Sequence, residues 1–157
     1  MKNINDQLFN SARTGDVQLL QSLIDQGADV NTQDLRGYTP LIIASYNDQV
    51  ESVKVLLTAK AAVNMQDSGG NTALMGVSFK GYPEIAELLI ANGADLNIQH
   101  ANGGTALMFA VLFGRDQLVS ILIKHGADIY IKENRGLSAI DLAIQQGNTN
   151  AITLMEI

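Results

Sequence analysis

The sequence predicts an all-α protein, a solenoid of helix-turn-helix units joined by β-hairpin-like turns. Three observations lead there. Thr39, Thr72, Thr105 and Ser138 recur every 33 residues, and Gly37, Gly70, Gly103 and Gly136 keep the same interval. A second block repeats in step with them: "GADVN" from Gly27, "KAAVN" from Lys60, "GADLN" from Gly93 and "GADIY" from Gly126. The third observation is the stretch "GGTALMFAVLFG", which has no polar side chain between Thr105 and Gly114. It therefore lacks the wet face of an amphipathic surface helix, and it is too short for a membrane span, which needs about 20 apolar residues. Such a helix has to lie between neighbours of its own kind, which a periodic stack supplies.

Each unit reads as a Gly-containing turn, then a hydroxyl that can accept an N–H from the first helical turn, then a short apolar inner helix. A break follows at Gly15, Asp48, Gly81, Gly114 or Gly147, and an outer helix ends at a glycine. Pro83 falls where an outer helix begins, a position at which its missing N–H costs little. Gly93 and Gly126 suit a left-handed helix end. Terminal units are expected to be wetter than internal ones. The first inner helix accordingly carries Asn10, Ser11, Arg13 and Thr14, and the last carries Asp141, Gln145 and Gln146. Residues 1–157 are expected to form one domain: an N-terminal cap unit 4–33, full units 34–66, 67–99 and 100–132, and a truncated C-terminal cap 133–157.

The inner-helix motif reads Thr39-Pro40-Leu41-Ile42-Ile43-Ala44, Thr72-Ala73-Leu74-Met75-Gly76-Val77 and Thr105-Ala106-Leu107-Met108-Phe109-Ala110. It resembles the T-P-L-H-x-A signature of the ankyrin repeat, and the resemblance covers nearly the whole chain. The units, with Ala where Pro is usual, look like those of stand-alone bacterial ankyrin proteins. Three positions depart from the pattern: Lys60 at a helix-ending glycine, Asp48 at an inter-helix glycine, and Val77 at a small alanine with Gly76 beside it. Lys60 should cost up to about 1 kcal/mol if its backbone stays left-handed; Asp tolerates that conformation better. Val77 and Gly76 are expected to trade volume, and the unit boundary at Lys60 is expected to be the softest joint.

Sixteen Asp and Glu against ten Lys and Arg give a net charge of -6, which opposes nucleic-acid binding. Cysteine is absent, so disulfides and thiolate metal sites are excluded. The start, "MKNINDQLFN", lacks the apolar stretch of a secretory signal, and the expected location is cytoplasmic, with no membrane association. No phosphate loop, H-E-x-x-H or G-x-S-x-G motif is present. Of the two histidines, His100 takes the first position of its unit, where Asp34 and Asp67 stand in others, and reads as a turn residue. His125 precedes Gly126 and suits the negative end of a helix dipole. The recurrent Asp29, Asp34, Asp67, Asp95 and Asp128 read as turn acceptors. Neither a metal nor a cofactor is expected, and no enzymatic activity.

The resemblance implies that function sits on the concave side, built from the hairpin tips and the exposed edge of the inner helices. One ladder there runs Arg13, Tyr46, Phe79, Leu112 and Gln145; the next runs Thr14, Asn47, Lys80, Phe113 and Gln146. Large side chains at Tyr46, Phe79, Leu112 and Phe113, with Arg36, Tyr38, Asn47, Lys80 and Asn102 around them, describe a protein-binding surface. The competing reading folds Phe79 and Phe113 inward as core. The expected function is a monomeric, non-enzymatic module that binds one or more proteins through its concave face. Relatives implied by the resemblance include accessory proteins linked to catalase, immunity proteins and effectors. An alternative is a carrier of haem or another small ligand for a catalase-like partner, with Met75, Met108, Tyr46 or His125 as axial ligands. The two methionines suit gap-filling between helices better.

Overall fold

A computed structural model describes residues 3–156 and places ten helices among them: α1 (Ile4–Thr14), α2 (Val17–Asp25), α3 (Pro40–Tyr46), α4 (Val50–Thr58), α5 (Ala73–Lys80), α6 (Pro83–Ala91), α7 (Ala106–Leu112), α8 (Asp116–Lys124), α9 (Ala139–Gln146) and α10 (Thr149–Met155). Odd-numbered helices pack on one another as an inner layer and even-numbered ones as an outer layer, each pair joined at its own turn. This is an all-α repeat solenoid.

The periodic hydroxyls start the inner helices. The Oγ1 atoms of Thr39, Thr72 and Thr105 accept the N–H groups of Ile42, Met75 and Met108 at 3.1, 3.2 and 3.4 Å. Ser138 does the same for Asp141, whose carboxylate accepts the Ser138 N–H in return, a capping box. In α1 the capping residue is Asn3, which accepts from Asn5. Leucines in register then fill the core: Leu8, Leu41, Leu74 and Leu107 from the inner layer, Leu23, Leu56, Leu89 and Leu122 from the outer, all buried. Truncating one of them to Ala costs about 2–5 kcal/mol in packed interiors. Ser11 departs from the expected wet end. It takes the register of Ala44, is wholly buried, and satisfies its hydroxyl by donating to the Leu8 carbonyl.

Successive hairpins are stitched edge to edge. The N–H groups of Ser68, Ala101 and Asn134 donate to the carbonyls of Arg36, Gly69 and Asn102 at 2.9–3.0 Å. The approach needs glycine at the hairpin turn: a Cβ on Gly37 would lie 2.7 Å from the Ser68 nitrogen, and φ is +78° there. Two side-chain ladders reinforce the stitching. Gln33, Gln66 and Gln99 each donate to a carbonyl of their own hairpin and to one in the next unit, and Asn31, Asn64 and Asn97 each accept an N–H from the following unit.

Strain gathers in the α3–α4 unit. Among the described residues the non-glycine positions with left-handed backbone are Asp48, at φ 56°, and Lys60, at φ 66°. The buried hydroxyls without a hydrogen-bond partner, Ser45 and Ser52, lie in α3 and α4 as well. Val77 is wholly buried, whereas Gly76 is only partly buried, with Tyr46 Cδ2 3.5 Å from where its Cβ would stand. Lys60→Gly is expected to raise stability by about 1 kcal/mol in chemical denaturation, and to slow amide exchange in α4 more than in α8.

Candidate protein-binding groove

The concave face is shaped by what α5 lacks. In register, Ile43, Gly76 and Phe109 stand side by side on three inner helices. A groove of about 560 Å3 lies at this point between the hairpin tips and the inner helices. Ile42, Met75, Gly76 and Phe109 form part of its lining, with Tyr46 and Phe79 beside them. A second hollow of about 360 Å3 lies further along, against His100, Asn102, Met108, Leu112 and Arg135.

The nine residues expected at the site are distributed as follows. Arg36, Tyr38, Tyr46, Asn47 and Phe79 line the first groove, and Asn102 and Leu112 the second. Lys80 places Nζ 4.8 Å from the centre of the Tyr46 ring, within cation–π range. Phe113 meets Phe79 edge-on with centroids 4.5 Å apart, and Phe79 lies parallel to Tyr46 at 6.3 Å. The rings thus form one run across three units. Tyr46, Leu112 and Phe113 remain 43%, 37% and 47% exposed, whereas Phe79 is half-buried between its neighbours. Asn47 is less free than expected: its side-chain amide donates to the Ile43 carbonyl at 2.8 Å and finishes its own helix.

Bonds from the following unit hold the backbone under this run. Gln49 donates to the Arg13 carbonyl, Arg115 Nε to that of Phe79 at 2.9 Å, and Gln146 to that of Leu112 at 2.9 Å. Phe109 went unremarked in the sequence because it sits inside an unbroken apolar run; the signal that could have found it is its register with the odd glycine, Gly76. Met75 and Met108 are each 2% exposed and belong to the packed floor.

The titratable groups serve the turns. The Oδ1 of Asp34 accepts the N–H groups of Arg36 and Tyr38, and that of Asp67 those of Gly69 and Asn71. Asp29, Asp95 and Asp128 close the turns beyond the outer helices in the same way. His100 takes the Asp role with Nδ1, which accepts the Gly104 N–H at 2.9 Å. His125 ends α8 and also reaches Glu87 on α6 at 3.0 Å. Glu133 is held below the usual carboxylate range, chiefly by the Arg135 guanidinium at 2.8 Å and further by the N–H groups of Leu137 and Arg135, against the opposing effect of burial. Asp141 is lowered by the Ser138 N–H and hydroxyl. Among the described residues no group of three or more His, Cys, Asp and Glu side chains is arranged to hold a metal ion, and no helix is long and apolar enough to cross a membrane.

A stack of helix pairs with its apolar core between units and an open, ring-lined groove defines a repeat protein of the interaction-module class. A family model described as ankyrin repeats (3 copies) matches residues 8–100 and 74–156. The chain belongs to the ankyrin repeat family, whose members act as non-enzymatic modules for protein–protein interaction. A stretch of 50 residues is 44% identical to "Protein VAPYRIN-LIKE" of Medicago truncatula; it covers 32% of this chain and 11% of that protein's length.

Two outcomes are expected. Gly76→Ala removes a helix-interior glycine and adds a Cβ at an ordinary 3.5 Å from Tyr46 Cδ2. Stability should rise by about 0.5–1 kcal/mol, read from a denaturant midpoint, at the expense of groove volume. A depressed native pKa gives stability that is complete above the unfolded value and lost as pH falls through the folded one. The thermal midpoint should therefore drop as pH goes below the ordinary carboxylate range, and should drop less in Glu133→Gln/Asp141→Asn, whose two groups no longer titrate.

Proposed function

We propose that the chain is a cytoplasmic, monomeric adaptor of the stand-alone bacterial type, without catalytic activity, that holds a partner protein on its concave face in an accessory, immunity or effector role. The observation that carries this reading is the uncovered run of Tyr46, Phe79 and Phe113 beside the groove, with Leu112 exposed next to it. Large rings left partly exposed and flanked by polar groups such as Arg36 and Asn102 match the anatomy of a binding hot spot, in which aromatic and Arg side chains dominate the energy. The haem-carrier alternative draws no support from Met75 and Met108, which are packed in the core.

The test is a pull-down from the native host with the wild type and with Phe79→Ala/Phe113→Ala, after confirming that the double variant melts cooperatively. The expected outcome is a partner retained by the wild type and lost by the variant, since truncating a hot-spot residue costs about 2 kcal/mol or more of binding. Equal recovery from both would remove the rings from the interface.

A further inference from the structure

We propose that the groove takes an acidic segment of its partner, one that sets a carboxylate beside an aromatic or aliphatic side chain. This deepens the adaptor reading and rests on it. The argument is one of charge placement. The chain carries -6 overall, yet the charged side chains lining the groove are Arg13, Arg36 and Asp67. Asp67 is committed to its own hairpin, accepting the N–H groups of Gly69 and Asn71 at 2.9 Å and the Asn71 side-chain amide at 3.2 Å. Neither guanidinium has an ion pair or a side-chain hydrogen bond among the described residues, although Lys54 and Arg135 do find carboxylates.

Lys80 adds a third positive charge at the Tyr46 edge of the groove. Seven of the sixteen carboxylates lie elsewhere, Glu51, Glu84, Glu87 and Asp116 on the outer helices and Asp29, Asp95 and Asp128 in the turns beyond them, while Asp34, in the hairpin of Arg36, is committed to that turn as Asp67 is to its own. The concave groove is thus a positive opening in a negative protein, an arrangement that focuses field and steers an oppositely charged partner.

The apolar part of the groove separates the occupant from a bare anion. Arg13 comes from the last turn of α1 and Arg36 from the hairpin before α3, two different elements, and Ile42, Ile43 and Tyr46 share the lining with them. A phosphate-like ligand calls for cations gathered on one point. Cations set around apolar surface fit a chain that alternates carboxylates with apolar side chains, the apolar group filling the space that Gly76 leaves.

The experiment selects a displayed library of random peptides against the full-length protein, then measures the enriched peptides by fluorescence anisotropy against three forms: wild type, Arg13→Gln/Arg36→Gln, and Phe79→Ala/Phe113→Ala. Both arginines are exposed and their side chains are unbonded, so the first variant should fold as the wild type does; circular dichroism and a melt check this. The expected result is enrichment of Asp or Glu next to Phe, Tyr, Leu or Ile, with affinity falling about tenfold in the arginine variant and falling again with added salt. Neutral or basic peptides lost by the phenylalanine variant but indifferent to the arginine variant would overturn the acidic segment while sparing the concave-face reading. Peptides indifferent to both variants would overturn both. No enrichment at all would overturn the proposal, because a random library contains acidic–apolar segments in abundance.

Discussion

An inner helix such as α7, apolar from Ala106 to Leu112, cannot meet water on either flank. Its burial is the constraint from which the remaining architecture follows. A single helix pair has one companion and two open sides, so the area that must leave water exceeds what the pair can cover, and further units have to be laid against it. Once they are, the distance between units is fixed by the leucine layers, and everything else must fit that distance. The hairpins fit because Gly37, Gly70 and Gly103 have no Cβ where the next strand of backbone arrives, within 3 Å. The glutamine and asparagine ladders then take up carbonyls and N–H groups that the close approach would otherwise leave half-satisfied.

The same spacing frames the groove and the unit in which the local departures gather. Hairpins projecting past the inner helices leave a trough along one side. It deepens where α5 has glycine in place of a side chain, and the unit facing it, α3–α4, holds both left-handed non-glycine residues and both orphaned hydroxyls. These departures from local preference thus gather in one unit, whose inner helix α3 helps line the groove. In a repeat array each unit is stabilised mainly by its neighbours, and the α3–α4 unit is held from both sides by α1–α2 and α5–α6.

Much of this was legible in the sequence, and the reason is period. Thr caps, turn glycines and the acid at the head of each hairpin repeat because each has one geometry to satisfy, and a position that must do the same task in each unit is visible from spacing alone. The assignment of His100 to a turn follows from the register it shares with Asp67, and its Nδ1 takes over one of the two N–H bonds the acid would accept. Gln33, Gln66 and Gln99 repeat as faithfully, but glutamine has no single preferred turn role, so its reach into the next unit could not be read from spacing. Ser11 was misread because a lone hydroxyl can be satisfied by its own helix and then buried. The depth of the groove was hidden for a different reason: Ile43, Gly76 and Phe109, in register on three helices, are of unequal size, and a size mismatch breaks the period instead of following it.

The ring run shows how a surface of this kind can stay uncovered without collapsing. Phe79 is flanked on both sides, by Tyr46 and by Phe113, so each of the outer rings already has one face or edge in contact and loses less to water than an isolated ring would. Their backbone supports are pinned as well, the Phe79 carbonyl by Arg115 and the Leu112 carbonyl by Gln146. Each ring that packs on a neighbour gives up part of its rotamer freedom on folding. Ordering a mobile side chain at an interface costs about 0.5–1.5 kcal/mol, and the part of it that the ring contacts already meet is met in folding.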